Sequence, residues 1–243
     1  MSKYKGSKRC MLELIKSSDF ITDVNILLKN VGASISTSDT WMPEGLHSDK
    51  EDELKAFLSI SHNAQLGAEI QNWWLEICTP QTRTPNWDLV STCTINGKSG
   101  ILLVEAKAHT QELNGESKGK SPFKKDSVNS EKNHEKIGLA INVANTNLQN
   151  AISGISISRD KCYQFSNRVA HAWWLANKGI PVVLLYLGFL NSEDMRSKYK
   201  VFNSHKDWED CFINHTKKVG ANELIDKAID CGESSFITIC RSY

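Results

Sequence analysis

The chain has 243 residues, of which 40% are hydrophobic and 23% charged, and its formal net charge is +1. This length suits one sizeable α/β domain, and the composition is that of ordinary globular proteins rather than of disordered chains. The near-neutral charge argues against a protein that coats nucleic acid through a uniformly basic surface. Any such contact must come from a local patch or a metal ion.

Neither a membrane span nor a secretory signal is predicted. The longest apolar run, residues 180–190, is too short to cross a bilayer and contains Pro181. The basic residues at the N-terminus are followed by polar and acidic residues rather than by a clean apolar segment. The seven cysteines are scattered and include no Cys-x-x-Cys pair, so we expect neither a disulfide framework nor a zinc site. A cytoplasmic location is therefore expected.

The first part of the chain is predicted to be helical. Apolar residues at helical spacing predict one or two helices over residues 9–30. A loop rich in Ser, Thr, Asp and Gly is predicted over 32–50. A longer helical stretch follows over 51–77, with a possible interruption at 59–63, and it ends where prolines begin to appear.

A β-hairpin is predicted next. Residues 87–95 and 100–108 have the composition of strands, and the Asn96-Gly97 pair between them is a strong hairpin signal. Residues 111–136 are polar and rich in lysine and are predicted to form a mobile loop. That loop is interpreted as solvated, or as a segment that becomes ordered on DNA.

Two further helices and a buried strand follow the predicted loop. The helices are expected near 137–155 and over 163–177, the second with Gly179 as its C-cap. The strand is predicted over 181–189, since this run is continuously apolar.

A helix over 223–230 and a short strand over 235–239 complete the predicted elements. Their order predicts an α/β fold in which helices flank a mixed central β-sheet. We expect a single domain with a core over 51–190. A helical N-terminal extension (1–50) precedes this core, and a C-terminal extension with a helix and a strand (191–243) follows it.

Three Glu-x-Lys tripeptides occur in the chain, starting at Glu53, Glu105 and Glu116. The first lies in a predicted helix and the third in the predicted polar loop, so both are interpreted as solvated charges. Only Glu105-Ala106-Lys107 lies on a predicted strand, directly after an apolar run. The second tripeptide is therefore the candidate for chemistry.

The predicted hairpin brings a third charged residue to the same place. Side chains alternate between the faces of a strand, so Glu105 and Lys107 share a face. A two-residue turn would pair Ile95 with Lys98 and bring Asp88 opposite Glu105, whereas a four-residue loop would bring Asp88 opposite Lys107. Either register places all three charged side chains on one face.

Two carboxylates so close together repel each other unless a cation lies between them. Oxygen ligands of this kind suit Mg²⁺ or Mn²⁺, which can polarise a phosphoryl oxygen and lower the pKa of a bound water. Lys107 could orient that water or offset charge on the phosphate. The alternative is a plain ion pair between Asp88 and Lys107 at a sheet edge, and the residues alone leave both interpretations open.

Asp88, followed by Glu105-Ala106-Lys107 after an apolar strand, resembles the core motif of the PD-(D/E)xK, or restriction-endonuclease-like, nuclease superfamily. The resemblance covers about residues 50–190. It implies a restriction-endonuclease-like core and a metal-dependent nuclease that hydrolyses phosphodiester bonds in DNA. Asp88, Glu105 and Lys107 would be the catalytic residues.

The same resemblance implies the metal ligands. Mg²⁺ or Mn²⁺ would be held by Asp88, Glu105 and a helix carboxylate, which is Glu69 or, as second choice, Glu76. It also implies nucleic acid, in particular DNA, as the partner, no membrane partner, and a homodimer, since restriction-like nucleases often pair to cut both strands.

Substrate-binding candidates lie beyond these residues. His109 would continue along the face of Lys107, and Gln164 and Arg168 are the nearest candidates for the family's Gln-x-x-x-Tyr position, which this chain does not match. Gln164, Arg168 and His171 share a stripe of one predicted helix. That stripe either faces a phosphate backbone or is the polar side of an amphipathic helix.

Three alternatives remain open. The Trp73-Trp74 and Trp173-Trp174 pairs could stack on bases, although packing in a core is favoured. The domain could be a catalytically inactive, nuclease-like binding or assembly module. It could also be a structural α/β protein in which Glu105-Ala106-Lys107 takes part in an edge ion pair.

Overall fold

The computed structural model describes residues 3–45, 51, 53–80, 82–121 and 127–243. The described residues form a mixed β-sheet with helices on both faces, as predicted. No helix among them is both long enough and apolar enough to cross a membrane.

The sheet is built around one antiparallel hairpin and two parallel pairings. Its strands are β1 (Ala33–Ser34), β2 (Trp41–Met42), β3 (Leu89–Ile95), β4 (Lys98–Lys107), β5 (Val182–Gly188), β6 (Ala228–Asp230) and β7 (Ser235–Ser242). The strand order is β1-β3-β4-β5-β7-β6, and β2 also pairs with β3. β3 and β4 are antiparallel, whereas β4 with β5 and β5 with β7 are parallel. The segment predicted as a C-terminal extension thus contributes β6 and β7 to the sheet.

Helices account for most of the remaining described chain. They are α1 (Gly6–Lys16), α2 (Phe20–Leu27), α3 (Leu54–Ser61), α4 (Ala64–Trp74), α5 (Thr110–Glu116), α6 (Val128–Leu148), α7 (Tyr163–Asn177), α8 (Glu193–Arg196) and α9 (His205–Thr216). The predicted interruption between α3 and α4 is present. Asn63 causes it by capping α4, since its side chain accepts a hydrogen bond from the Leu66 N–H at 2.8 Å.

The central strand β4 is buried on both faces. Ile101 and Leu103 pack into a core formed with α3, α4, α6, α7 and α9, whereas Leu102 and Val104 pack against α1 and α2. This explains why its sequence is a continuous apolar run instead of an alternating one. Any charged side chain at its end therefore sits at the margin of a dry core.

The prediction of a mobile loop over 111–136 was wrong. α5 occupies the start of this segment and α6 begins at Val128, while residues 122–126 lie outside the described residues. Ser127 caps α6 by accepting a hydrogen bond from the Ser130 N–H. The inward face of α6 starts with polar residues, including the buried Asn133, so its apolar periodicity is hidden in the sequence.

Two other expectations also need correction. Residues 223–230 do not form a helix. A short 3₁₀ turn covers Asn222–Leu224. Residues 228–230 then form β6, since they pair with β7. The predicted loop over 32–50 contains the short strands β1 and β2, and its residues 46–50 lie outside the described residues.

Candidate active site at the end of β4

The hairpin adopts the first of the two predicted registers. Ile95 pairs with Lys98 across a two-residue turn in which Asn96 and Gly97 have φ values of 48° and 77°. Leu89 pairs with Val104, so the next position in register would place Asp88 opposite Glu105. The chain bends at Asp88, and its Oδ2 accepts a hydrogen bond from the Ala106 N–H at 2.7 Å. Asp88 thus lies beside the end of β4, as predicted.

Glu105 is the centre of a buried network of charges. Its Oε1 accepts hydrogen bonds from Lys107 Nζ and from Gln164 Nε2 (2.5 Å), and its Oε2 accepts one from Arg168 Nε (2.7 Å). Burial would raise the pKa of this carboxyl, but the charges of Arg168 and Lys107 lower it overall. Glu105 is therefore an anion with both oxygens bonded.

A carboxylate from the supposed loop completes this network. Glu116, the last residue of α5, is buried, and its Oε1 lies 2.6 Å from Lys107 Nζ. The interpretation of Glu116 as a solvated charge was wrong. It follows the buried Leu113 by three residues, so both lie on the inward face of α5. That spacing could have revealed it, had residues 110–116 been recognised as a helix.

Lys107 is held as a cation. Burial alone would lower the pKa of this ammonium group, but the charges of Glu105, Glu116 and Asp88 raise it above its ordinary value. A lysine held in this way cannot act as a base. It can place a positive charge beside a reacting phosphate.

Arg168 ties helix α7 to the segment before β3. Its Nη2 donates a hydrogen bond to the Asn86 carbonyl at 2.7 Å, and its guanidinium lies 4.2 Å from the centre of the Trp87 ring. We call Asp88, Glu105, Lys107, Glu116, Gln164 and Arg168 the Glu105 cluster.

Helix α7 is almost entirely buried, so its polar stripe is not the solvated side of an amphipathic helix. Gln164 and Arg168 both contact Glu105. His171 is fully buried against Trp74, and burial lowers the pKa of its imidazole to about 3, which leaves it neutral.

The two tryptophan pairs pack within the protein, in agreement with the interpretation that was favoured over stacking on bases. Trp73 stacks on Trp174 with ring centres 5.5 Å apart, and Trp173 and Trp174 are buried in the core formed with α6 and α7.

Asp88 differs from Glu105 in its surroundings. It is half-buried and borders a small pocket that is also lined by Lys8 and Glu51. Burial, and then the negative charge of Glu105, raise the pKa of Asp88 to about 8. A bound cation would favour the ionised form of this carboxyl.

The structure does not bring Glu69 into the Glu105 cluster. Its carboxylate pairs with Lys178 Nζ at 2.7 Å. Lys178 follows the C-terminus of α7, whereas Gln164 lies in its first turn, so about 20 Å of helix separate these two contacts. The second choice, Glu76, is exposed and pairs with Lys136 at 3.5 Å. Neither α4 nor the residues after it supply the expected third carboxylate.

His109 also lies apart from the cluster. It follows the end of β4 at the start of α5, where its ring stacks on Tyr199 with centres 4.1 Å apart. Its backbone N–H donates to Glu112 Oε2, which also accepts from the Ala108 N–H. These contacts stabilise the turn between β4 and α5.

Two buried polar side chains border the cluster without having been predicted. Tyr186 pairs with Glu105 in the β4–β5 register, and its hydroxyl is buried. His215 Nε2 lies 3.8 Å from Glu116 Oε2, but burial and the charges of Lys218 and Lys107 lower its pKa to about 4, so the imidazole is neutral.

Among the described residues, no group of three or more His, Cys, Asp or Glu side chains is arranged so that it could hold a metal ion. A metal site with three protein ligands is therefore absent from this part of the chain. Mg²⁺, however, is often bound through one or two carboxylates, with waters and substrate phosphates completing its shell. Asp88 and Glu105 fit that donor set. Lys107 would retain Glu116 as its partner if Glu105 turned towards a metal.

None of the protein-family models matches this chain, and neither does any curated protein or solved structure.

Proposed function

We propose that this protein is a metal-dependent nuclease that hydrolyses phosphodiester bonds in DNA through the Glu105 cluster. The observation that carries the proposal is the convergence of Asp88, Glu105 and Lys107 at the end of the β3–β4 hairpin. The resemblance to PD-(D/E)xK nucleases, including a restriction-endonuclease-like core, supports the same function.

Asp88 and Glu105 would hold Mg²⁺ or Mn²⁺, which would supply Lewis-acid polarisation of a phosphoryl oxygen. Lys107, kept cationic between two carboxylates, would stabilise negative charge that builds up on the phosphate. Glu116 would position Lys107 through the ion pair with its ammonium group. Gln164 and Arg168 would orient Glu105 and lie at the edge where substrate approaches.

A second candidate function is a nuclease-like module that binds or assembles without cleaving. It is favoured by the saturation of Glu105, both of whose oxygens are engaged by Lys107, Gln164 and Arg168. Among the described residues, no group of three or more His, Cys, Asp or Glu side chains could hold a metal ion, and Glu116, the third carboxylate of the cluster, pairs with Lys107.

The test is a cleavage assay on single-stranded and duplex DNA and RNA with Mg²⁺, Mn²⁺ or a chelator. We expect metal-dependent cleavage that Lys107→Gln lowers by about 100-fold or more. Asp88→Asn should weaken Mn²⁺ binding in calorimetry. Lys98→Gln is the matched control, since Lys98 is an exposed lysine at the other end of β4, and it should cleave like the wild type.

Circular dichroism would verify that each variant is folded. If the folded wild-type protein cleaves none of these substrates and binds no Mn²⁺, the proposal of a nuclease is wrong. The second candidate, a binding or assembly module, would then remain. Cleavage that Lys107→Gln does not change would place the chemistry elsewhere.

A further inference from the structure

A groove leads away from the Glu105 cluster along the N-terminal end of α7. It consists of two adjoining cavities of about 310 and 510 Å³, which share Arg83, Lys120 and Ile137 in their walls. The first cavity is also lined by Gln164 and Arg168, both of which contact Glu105. A molecule in the groove would therefore reach the edge of the cluster.

The charged side chains that line this groove are basic, while Glu53 and Glu105 pair with Arg83 and Arg168 from outside its walls. Arg83, Lys120 and Arg168 line it, and within the described part of the chain no Asp or Glu lines either cavity. Most other lining side chains are amides and hydroxyls, and the half-buried Tyr163 adds ring surface. Because the net charge of the whole chain is only +1, this is a local patch and not a property of the entire surface.

Lys120 is the most informative residue of the groove. It is half-buried, and its Nζ lies 5.4 Å from the centre of the Tyr163 ring. Burial lowers its pKa, and the charge of Arg159 lowers it further. No carboxylate among the described residues forms a salt bridge with it. A partly desolvated cation of this kind is stabilised by an anion supplied from outside the protein.

Arg83 lies where the two cavities meet. It is mostly exposed, its Nε lies 3.3 Å from Glu53 Oε1, and its Nη1 donates to the Pro80 carbonyl at 2.7 Å. These contacts position the guanidinium in the wall that the two cavities share without burying it. Arg83 and Lys120 thus offer cationic contacts in both cavities, and Arg168 lines the first cavity beside them.

We propose that this groove binds the sugar–phosphate backbone of a nucleic-acid strand, with Lys120 and Arg83 contacting its phosphates. The inference rests on the proposed function, because it identifies the surface that would lead the substrate to the Glu105 cluster. The amide and hydroxyl groups of the walls suit contacts with sugars and phosphates, and the ring surface of Tyr163 suits contact with a base.

The test measures binding without cleavage. Fluorescence anisotropy of labelled single-stranded DNA, duplex DNA and single-stranded RNA would be recorded in chelator, over a series of salt concentrations. We expect Lys120→Gln and Arg83→Gln each to weaken binding of the preferred strand by about three- to tenfold, and to reduce the slope of log K against log salt by about 1. Lys120→Arg, which keeps the charge, should restore binding.

Lys98→Gln is the control, because it removes one exposed positive charge at the far end of β4 and should bind like the wild type. Equal binding by wild type, Lys120→Gln and Arg83→Gln would overturn the proposal, as would a folded wild-type protein that binds none of the three probes. Binding that depends on Lys120 in a protein that never cleaves would support the groove and reject the nuclease. If the wild type cleaves while Lys120→Gln and Arg83→Gln both bind normally, the result would support the nuclease and reject the groove.

Discussion

At the scale of single residues, Asp88 is the least compensated charge of the Glu105 cluster. Lys107 pairs with both Glu105 and Glu116, and Arg168 pairs with Glu105, whereas the Asp88 carboxylate accepts a hydrogen bond from the backbone N–H of Ala106. Burial and the nearby Glu105 raise the pKa of Asp88 from 3.8 to about 8. In the absence of a metal, the folded protein therefore binds a proton at Asp88 that the unfolded chain has released.

Asp88→Asn tests this pKa through stability. Between about pH 4 and about pH 8 the folded Asp88 is protonated while the unfolded one is ionised, so the free energy of unfolding falls as the pH rises. One proton limits this slope to about 1.4 kcal/mol per pH unit. In urea unfolding with a chelator present, the free energy of unfolding of Asp88→Asn should fall less steeply with rising pH than that of the wild type. The exposed Asp19→Asn should keep the wild-type profile, and identical profiles for all three proteins would contradict the raised pKa.

At the scale of elements, the turn of the hairpin determines which side chains meet. Asn96 and Gly97 both have positive φ, as a two-residue hairpin turn requires. The turn sets the pairing of Ile95 with Lys98, and that pairing carries Asp88 to the end of β4. Helix α5 acts similarly, because it turns Glu116 inward towards Lys107.

Gly97→Ala and Gly115→Ala form a matched pair that tests the turn. A Cβ at either position would meet no atom within 4 Å, so only backbone preferences differ. Gly97 has φ of +77°, and alanine there should lower the free energy of unfolding by about 1 kcal/mol. Gly115 lies in α5, and alanine there should raise the free energy of unfolding by about 0.5–1 kcal/mol. Thermal denaturation measures both, and a loss of stability in Gly115→Ala equal to that in Gly97→Ala would argue against this account.

At the scale of the whole molecule, the Glu105 cluster joins parts that are distant in the chain. Arg168 of α7 bonds to Glu105 of β4 and to the carbonyl of Asn86 before β3, while Glu116 brings in α5. Breaking a buried pair leaves an uncompensated charge, which costs more than the pair contributes when it is intact. The cluster therefore influences stability whether or not it catalyses a reaction.

Arg168→Met should lower the free energy of unfolding by about 3–5 kcal/mol, since it leaves Glu105 buried with one cation fewer. The double variant Glu105→Gln with Arg168→Met should lose less than the sum of the two single losses. The exposed pair of Arg196 and Glu193 provides the control, and Arg196→Met should cost less than about 1 kcal/mol. Urea unfolding measures all four variants, and additive losses would mean that Arg168 and Glu105 do not interact energetically.

Part of the fold and site was predictable because the relevant signals are local. The apolar periodicity of residues 163–177 predicted α7 with the bounds that it has. The Asn96-Gly97 pair predicted the hairpin, and strand alternation then placed Asp88, Glu105 and Lys107 together. These features depend on neighbouring residues and on short-range backbone geometry, which a sequence states directly.

The partners of the charged residues were decided by tertiary structure. The spacing of Glu116 from Leu113 indicates an inward side chain only if residues 110–116 form a helix. In the structure α5 buries Glu116 against Lys107, while Glu69 pairs with Lys178 at the other end of α7. The physical reason is that the pKa and the role of a charge depend on its burial and on the opposite charges within a few ångströms of it. The sequence alone determined helix α7, the hairpin and the side chains at its end, whereas the packing of α5 and α7 against β4 determined which charged residues form one site.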